Sequence, residues 1–226
     1  MEQPKRQPRK PGWRFALLAL VLAVAISAVV RSLWLDIFFI PSASMEPLLH
    51  TGDRIVVART GFQAKPLGRG DVVVFDGRGS FAPLNSGNGP VVDALAEAGR
   101  WLGLAGSDTT YVKRVIGLPG DRVVCCDAGG RLTVNGQQVA EPYVYPGDTP
   151  SDVKFAVQVP AGRLWLMGDH RSMSADSRSL LGAPGGGMVP LERVIGRPVQ
   201  IIWPLDRFTA VERPPETTTT TAKNGQ

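Results

Sequence analysis

Tyr111-Val-Lys-Arg-Val-Ile-Gly-Leu-Pro-Gly-Asp121 is the stretch on which the fold reading turns. Residues 111–116 are rich in β-branched and aromatic side chains, and Gly-Leu-Pro-Gly-Asp then stops the run as a turn. The same grammar recurs on both sides. Gly-Asp pairs stand at 52–53, 70–71, 120–121, 147–148 and 168–169, and four of them fall where a strand begins or ends. In such a pair the Asp can cap its own turn while the Gly takes a positive φ. Strands are therefore expected over 53–59, 71–75, 111–116, 121–126, 131–134, 155–159, 163–167 and 194–203, with a hairpin turning at Asn135-Gly136. The fold class is mainly β.

Three segments depart from this pattern. Residues 77–90 form a polar, glycine-rich loop, and 91–104 carry the apolar spacing of a short amphipathic helix. From Pro214 onward the Thr-rich sequence reads as a disordered tail. At the other end lies FALLALVLAVAISAVV, residues 15–30, without a charge. At 1.5 Å per residue it spans roughly 24 Å, short of a hydrocarbon core of about 30 Å. Arg14 and Arg31 can snorkel to the interfaces, Trp13 and Trp34 suit the headgroup belt, and apolar character resumes at Ile37–Ile40. This predicts one N-terminal transmembrane helix, with a basic cytoplasmic tail at 1–14 and an anchor at 15–35. The exported domain is then 36–213 and the tail 214–226. A cleavable signal peptide is the alternative. The basic residues before the run place the N-terminus in the cytoplasm and the rest outside, as a single-pass protein of the plasma membrane.

Charge narrows the partners. Lys5, Arg6, Arg9, Lys10 and Arg14 against Glu2 account for four of the five net positive charges. Basicity confined to one end argues against nucleic acid and fits a lipid bilayer. Two histidines and two adjacent cysteines leave no His- or Cys-based set of metal ligands, so no metal is expected. Cys125 and Cys126 read as a vicinal bridge, an intermolecular pair or two buried thiols.

Phosphate loops, zinc-protease helices and nucleophile elbows are missing from the sequence. Ser151-Asp-Val-Lys154 matches S-x-x-K formally, yet it sits in a turn without that motif's partners. What remains is Pro41-Ser42-Ala-Ser44-Met-Glu-Pro47. In extended backbone i and i+2 point the same way, so one serine can attack while the other donates to an oxyanion. The base is either a histidine, His50 or His170 beside Asp169, or a lysine. Lys113 is set in an apolar strand, where burial lowers an amine's pKa and makes it a neutral base. Gly168-Asp-His-Arg-Ser-Met-Ser174-Ala-Asp176-Ser-Arg178 supplies a hydroxyl, Ser174, for the amine. Asp176 and Arg178 support the site by pairing to hold the loop.

Together, PSASMEP (41–47), GDRIVV (52–57), RGDVVVF (69–75), YVKRVIGLPGD (111–121) and GDHRSMSADSR (168–178) resemble, in order, the motifs of type I signal (leader) peptidases. The resemblance covers about residues 36–205. It implies a serine–lysine endopeptidase that cuts signal peptides from exported preproteins after small residues (Ala-x-Ala), with no organic cofactor. Ser44 would be the nucleophile and Lys113 the general base. The Ser44 N–H and the Ser42 hydroxyl would form the oxyanion hole, and Ser174 would orient the lysine. Phe38, Ile40, Met45, Leu49, Ile55, Tyr111 and Val112 would line the substrate pocket. The implied fold is a signal-peptidase-like β core with a small β-rich cap at about 122–165. His170 stands where that family often has Asn. A noncatalytic anchored β-domain, a self-cleaving repressor-type protease and a dedicated conjugation-system peptidase are the rival readings; the anchor and the lack of a helix-turn-helix weigh against the repressor.

Overall fold

A computed structural model describes residues 12–33, 35–59, 66–81 and 109–213. Most of the basic tail, the amphipathic helix expected at 91–104 and the Thr-rich tail lie outside the described residues. One helix, α1 (Trp13–Leu33), precedes the strands β1 (Leu35–Phe39), β2 (Arg54–Ala58), β3 (Val72–Asp76) and β4 (Thr110–Gly117). β5 (Arg122–Cys125), β6 (Thr133–Val134), β7 (Gln137–Gln138) and β8 (Phe155–Gln158) follow, then β9 (Arg163–Met167), β10 (Val189–Pro190), β11 (Val194–Trp203) and β12 (Thr209–Ala210).

A repeated turn starts the strands. Asp53, Asp71 and Asp121 each accept, at 2.8 Å, the N–H of the residue three before: His50, Gly68 and Leu118. The glycine between, Gly52, Gly70 or Gly120, sits at φ +96°, +87° or +88°, where a side chain would be strained. Each aspartate is then held by a distant arginine: Arg207, Arg213 and Arg69 respectively. Local turn chemistry and long-range ion pairs thus fix the same three corners.

The strands form two antiparallel sheets. The larger runs β1-β2-β11-β3-β4-β9-β10, with β12 on β11; the smaller runs β7-β6-β5-β8. The large sheet is apolar on both faces. In β3 alternate residues divide between two cores: Val72 and Val74 join Ile40, Met45, Leu49, Ile55 and Ile201, whereas Val73 and Phe75 join Val115, Leu164 and Leu166. That is the period-2 geometry of a strand buried on both sides. A third cluster, including Ile116, Val123, Leu132, Phe155 and Trp165, joins the small sheet to β9. The β5–β8 segment turns at Asn135 and Gly136, both at positive φ (+54° and +79°), as the hairpin signal predicts. Cys125 and Cys126 are bonded to each other.

The β-rich core agrees with the sequence reading; the transmembrane helix does not. Among the described residues no helix is long and apolar enough to cross a membrane. Within α1 the uncharged apolar run lies between Arg14 and Arg31, about 24 Å at helical rise against about 30 Å of hydrocarbon. The apolar residues beyond Arg31 that seemed to extend it belong instead to β1, which pairs with β2 from Leu35 to Phe39. The anchor at 15–35 and the single-pass plasma-membrane topology derived from it are both withdrawn on this finding.

Candidate active site

Three segments converge at one end of the large sheet. The first is the turn after β1, where Glu46 N–H bonds the Ala43 carbonyl at 3.0 Å and Leu49 N–H bonds the Met45 carbonyl at 2.9 Å. This winds the chain tightly and buries Met45 and Leu49 in the core, leaving Ser44 only 7% exposed. The second is β4, whose pairing with β3 aligns Lys113 with Val73. The third is the loop 168–176 after β9.

The side chains of Ser44 and Lys113 meet. Lys113 Nζ lies 2.6 Å from Ser44 Oγ in a buried hydrogen bond, 69 residues apart in sequence. Lys113 is 3% exposed. Burial lowers its pKa from 10.5 to about 8, against the opposing pull of the Asp176 and then the Asp169 carboxylates, with Arg178 adding to the drop. A primary amine in that range is largely neutral in mildly alkaline solution, which suits it to accept a hydroxyl proton. The Ser42 hydroxyl stands 3.4 Å from Ser44 Oγ and is solvent-exposed. The two hydroxyls converge as expected, but through a bend and turn rather than through extended backbone.

The loop after β9 packs tightly on this pair. A Cβ at Gly168 would collide with the Ser174 side chain and with the Ser44 carbonyl, so glycine is required for the close approach. Asp176 accepts the Gly168 N–H at 3.0 Å and a two-pronged bond from Arg178. Burial pushes the Asp176 carboxyl up, yet Arg178, joined by the Gly168 N–H and Ser174, outweighs it and holds the group below the usual carboxylate range. Arg178 also donates to the Arg171 carbonyl, closing the loop on itself. Ser174 Oγ is buried without a hydrogen-bond partner of standard geometry, near enough to Asp176 to favour its ionised form. No hydrogen bond joins it to Lys113 among the described residues.

Arg114 and Asp169, a pair that sequence reasoning did not single out, fasten β4 to this loop. Arg114 grips Asp169 through Nε (2.7 Å) and Nη2, and its Nη1 donates to the Gly70 carbonyl at 2.6 Å. Its guanidinium also stacks 4.0 Å over the Tyr143 ring. The available signal was an arginine inside an apolar strand, which demands a buried acid somewhere in the chain.

A groove of about 270 Å³ opens beside the pair. Phe38, Ile40, Met45, Tyr111 and Val112 line it, together with Phe39, Pro41 and Thr110, which the sequence reading omitted. Leu49 and Ile55 lie wholly buried in the core below it. Strand β9 joins β4 only from Arg114 onward, and β1 is the last strand of its sheet, so the groove runs between two strand rims. Neither candidate histidine bonds to Ser44 through its side chain: the His50 N–H caps the Asp53 turn, and the His170 ring stacks on Tyr145. Among the described residues no cluster of three or more His, Cys, Asp or Glu is arranged to hold a metal.

A β-rich core with a buried amine on a serine at the head of an apolar groove is an arrangement that suits a hydrolase, and the family of the chain is one of hydrolases. The chain belongs to the family described as signal peptidase, peptidase S26, whose model matches residues 13–203. It is 36% identical over 241 residues to the probable signal peptidase I of Mycobacterium leprae (strain TN), spanning 93% of this chain and 82% of that one. Against signal peptidase I of Mycobacterium tuberculosis (strain ATCC 25618 / H37Rv) it is 36% identical over 234 residues, 93% and 79% of the two chains. Against that of Leptolyngbya laminosa it is 33% identical over 215 residues, 94% and 89% of the two chains. Family membership makes it a signal-peptidase-type hydrolase with the preprotein substrates typical of that type.

Proposed function

We infer that the chain is a serine endopeptidase that removes N-terminal signal peptides from exported preproteins after Ala-x-Ala, with Ser44 as nucleophile and Lys113 as general base. The observation that carries this reading is the buried 2.6 Å contact between the two side chains, with the amine's pKa brought down to about 8.

The chemistry follows from those atoms. Neutral Nζ takes the Ser44 hydroxyl proton as Oγ attacks the carbonyl of the residue before the cut. Negative charge develops on the carbonyl oxygen and is met by the Ser44 N–H and the Ser42 hydroxyl. Nζ returns its proton to the leaving amine, which becomes the new N-terminus, and an ester on Oγ remains. A water deprotonated by Nζ then attacks the ester, Nζ returns that proton to the departing Ser44 Oγ, and the signal peptide leaves as an acid that ionises to its carboxylate in solution. The substrate would lie extended between the β1 and β4 rims, bonded through its backbone, with alternate side chains pointing into the groove. Phe38, Ile40, Met45 and Tyr111 leave space there for small side chains, which agrees with alanine at alternate positions.

Two results are expected. A preprotein with an Ala-x-Ala junction, incubated with the full-length chain, yields by mass spectrometry a product that begins immediately after the second Ala. Changing that Ala to a bulky residue stops the cut. Products that begin elsewhere, or no product from any such preprotein, would count against the substrate class. Separately, Ser42→Ala lowers kcat by about 10²-fold with little change in KM, because the hydroxyl assists only the developing oxyanion. A loss confined to KM would assign Ser42 to substrate binding instead.

A further inference from the structure

Two side chains beside Ser44 have no part in the steps above. Glu46 lies two residues past Ser44, and His170 follows Asp169 in the loop 168–176. The backbone already ties the two segments, since the His170 N–H donates to the Ser44 carbonyl at 3.2 Å. The ring is held by stacking on Tyr145, with centroids 3.9 Å apart and planes within 10°. Tyr145 is itself fixed, its N–H donating to the Asp169 carbonyl at 3.0 Å.

In that orientation Nδ1 is buried, makes no hydrogen bond and stands 4.0 Å from a Glu46 carboxylate oxygen. A bare lone pair on the buried Nδ1 would face a carboxylate, which is repulsive; a proton there makes the contact attractive. The Glu46 side chain is part-exposed, which leaves it room to turn toward the ring. The other charged groups around the ring have partners of their own. Asp148 accepts from the Ser172 hydroxyl, Asp169 holds Arg114, and Arg171 holds Glu141.

We propose that His170 is a positioning residue: it carries its proton on Nδ1 and donates it to Glu46, pinning the 43–46 turn against the loop 168–176 so that Ser44 Oγ stays in line with Lys113 Nζ. Which imidazole nitrogen holds the proton is set by the partner of each. A carboxylate at Nδ1 therefore selects the tautomer opposite to the Nε2–H form favoured by a free histidine side chain in water. The kinetic half of the inference rests on the dyad reading; the tautomer does not.

The test separates them. In full-length chain labelled with ¹⁵N-histidine, long-range NMR correlation spectra at pH 8 report the His170 tautomer, with His170→Phe assigning the signal. The expected tautomer is Nδ1–H in the parent and Nε2–H in Glu46→Leu. On a preprotein substrate, His170→Phe keeps a ring for Tyr145 but loses the donor, and kcat falls about tenfold with KM within about twofold. His170→Asn restores an N–H and most of kcat. Glu46→Leu matches His170→Phe, and the double variant is no worse than either single one. An Nε2–H tautomer in the parent, losses that add in the double variant, or His170→Phe at parental kcat would each overturn the proposal. If the parent cuts no preprotein, the dyad reading has failed and the spectra still decide the contact. If His170→Phe fails to fold, the Glu46→Leu spectrum and the Asn variant decide it.

Discussion

Lys113→Met lowers turnover of any preprotein the chain cuts by at least about 10⁴-fold, and the variant is more stable to urea at pH 7 than the parent. The first half follows from the 2.6 Å contact with Ser44: methionine fills the lysine's space but accepts no proton. The second half is a linkage argument. The amine's pKa is about 8 when folded and 10.5 in an ordinary environment, so between these values the unfolded chain binds more protons. Stability therefore rises with pH through that window, and the cost of the buried lysine is present in full below pH 8. At about 1.4 kcal/mol per unit it amounts to about 3 kcal/mol, which methionine removes. The same value shapes the parent's activity. Below pH 8 the rate falls about tenfold per unit as Nζ takes up its proton, so that at pH 6 about one lysine in a hundred remains neutral. Urea denaturation and single-turnover cleavage between pH 6 and 9 check both parts. A flat profile, or a Lys113→Met variant that still cuts, would contradict the assignment of the base.

Asp169→Leu is expected to destabilise the fold by about 3–5 kcal/mol, with Arg114→Met close behind. Asp169 is fully buried and Arg114 nearly so, so removing either partner strands a charge where water cannot reach it. Burial already pushes the Asp169 carboxyl up, and the arginine fork is what opposes this. The double variant Arg114→Met/Asp169→Leu should recover most of the loss, because two apolar side chains leave no uncompensated charge. Urea midpoints of the three variants test this. Single-variant losses below about 1 kcal/mol, or a double variant as unstable as their sum, would mean that the pair does not hold β4 to the loop 168–176.

The contrast between these residues shows what the sequence made legible. Lys113 stood out because an amine in an apolar strand is costly and demands a use. Arg114 next to it did not, because its partner lies 55 residues away in a loop whose path no local pattern specifies. Three of the five Gly-Asp turns, those at Asp53, Asp71 and Asp121, were readable because each is closed within four residues by its own aspartate. Asp148 and Asp169 bind Ser172 and Arg114 instead. The arginine partners of the first three again come from distant segments. Strand β1 was misassigned for a physical reason: four of its five residues, all but Asp36, are apolar and follow an apolar helix, so the pattern carries little mark of where helix ends and strand begins. That ambiguity also produced the overturned membrane anchor. In the groove, alternation identifies which side chains share a face, but only the fold separates the rim residues Phe38 and Tyr111 from Leu49 and Ile55 buried below.

The central claim is that Ser44 is acylated and Lys113 drives that step. The most direct measurement is rapid acid quench of the full-length chain during turnover of an Ala-x-Ala preprotein, with peptide mass spectrometry of the enzyme. The account predicts an ester of the signal peptide on Ser44, absent in Ser44→Ala and in Lys113→Met. Turnover with no such ester, or with undiminished cutting by Ser44→Ala, would contradict it.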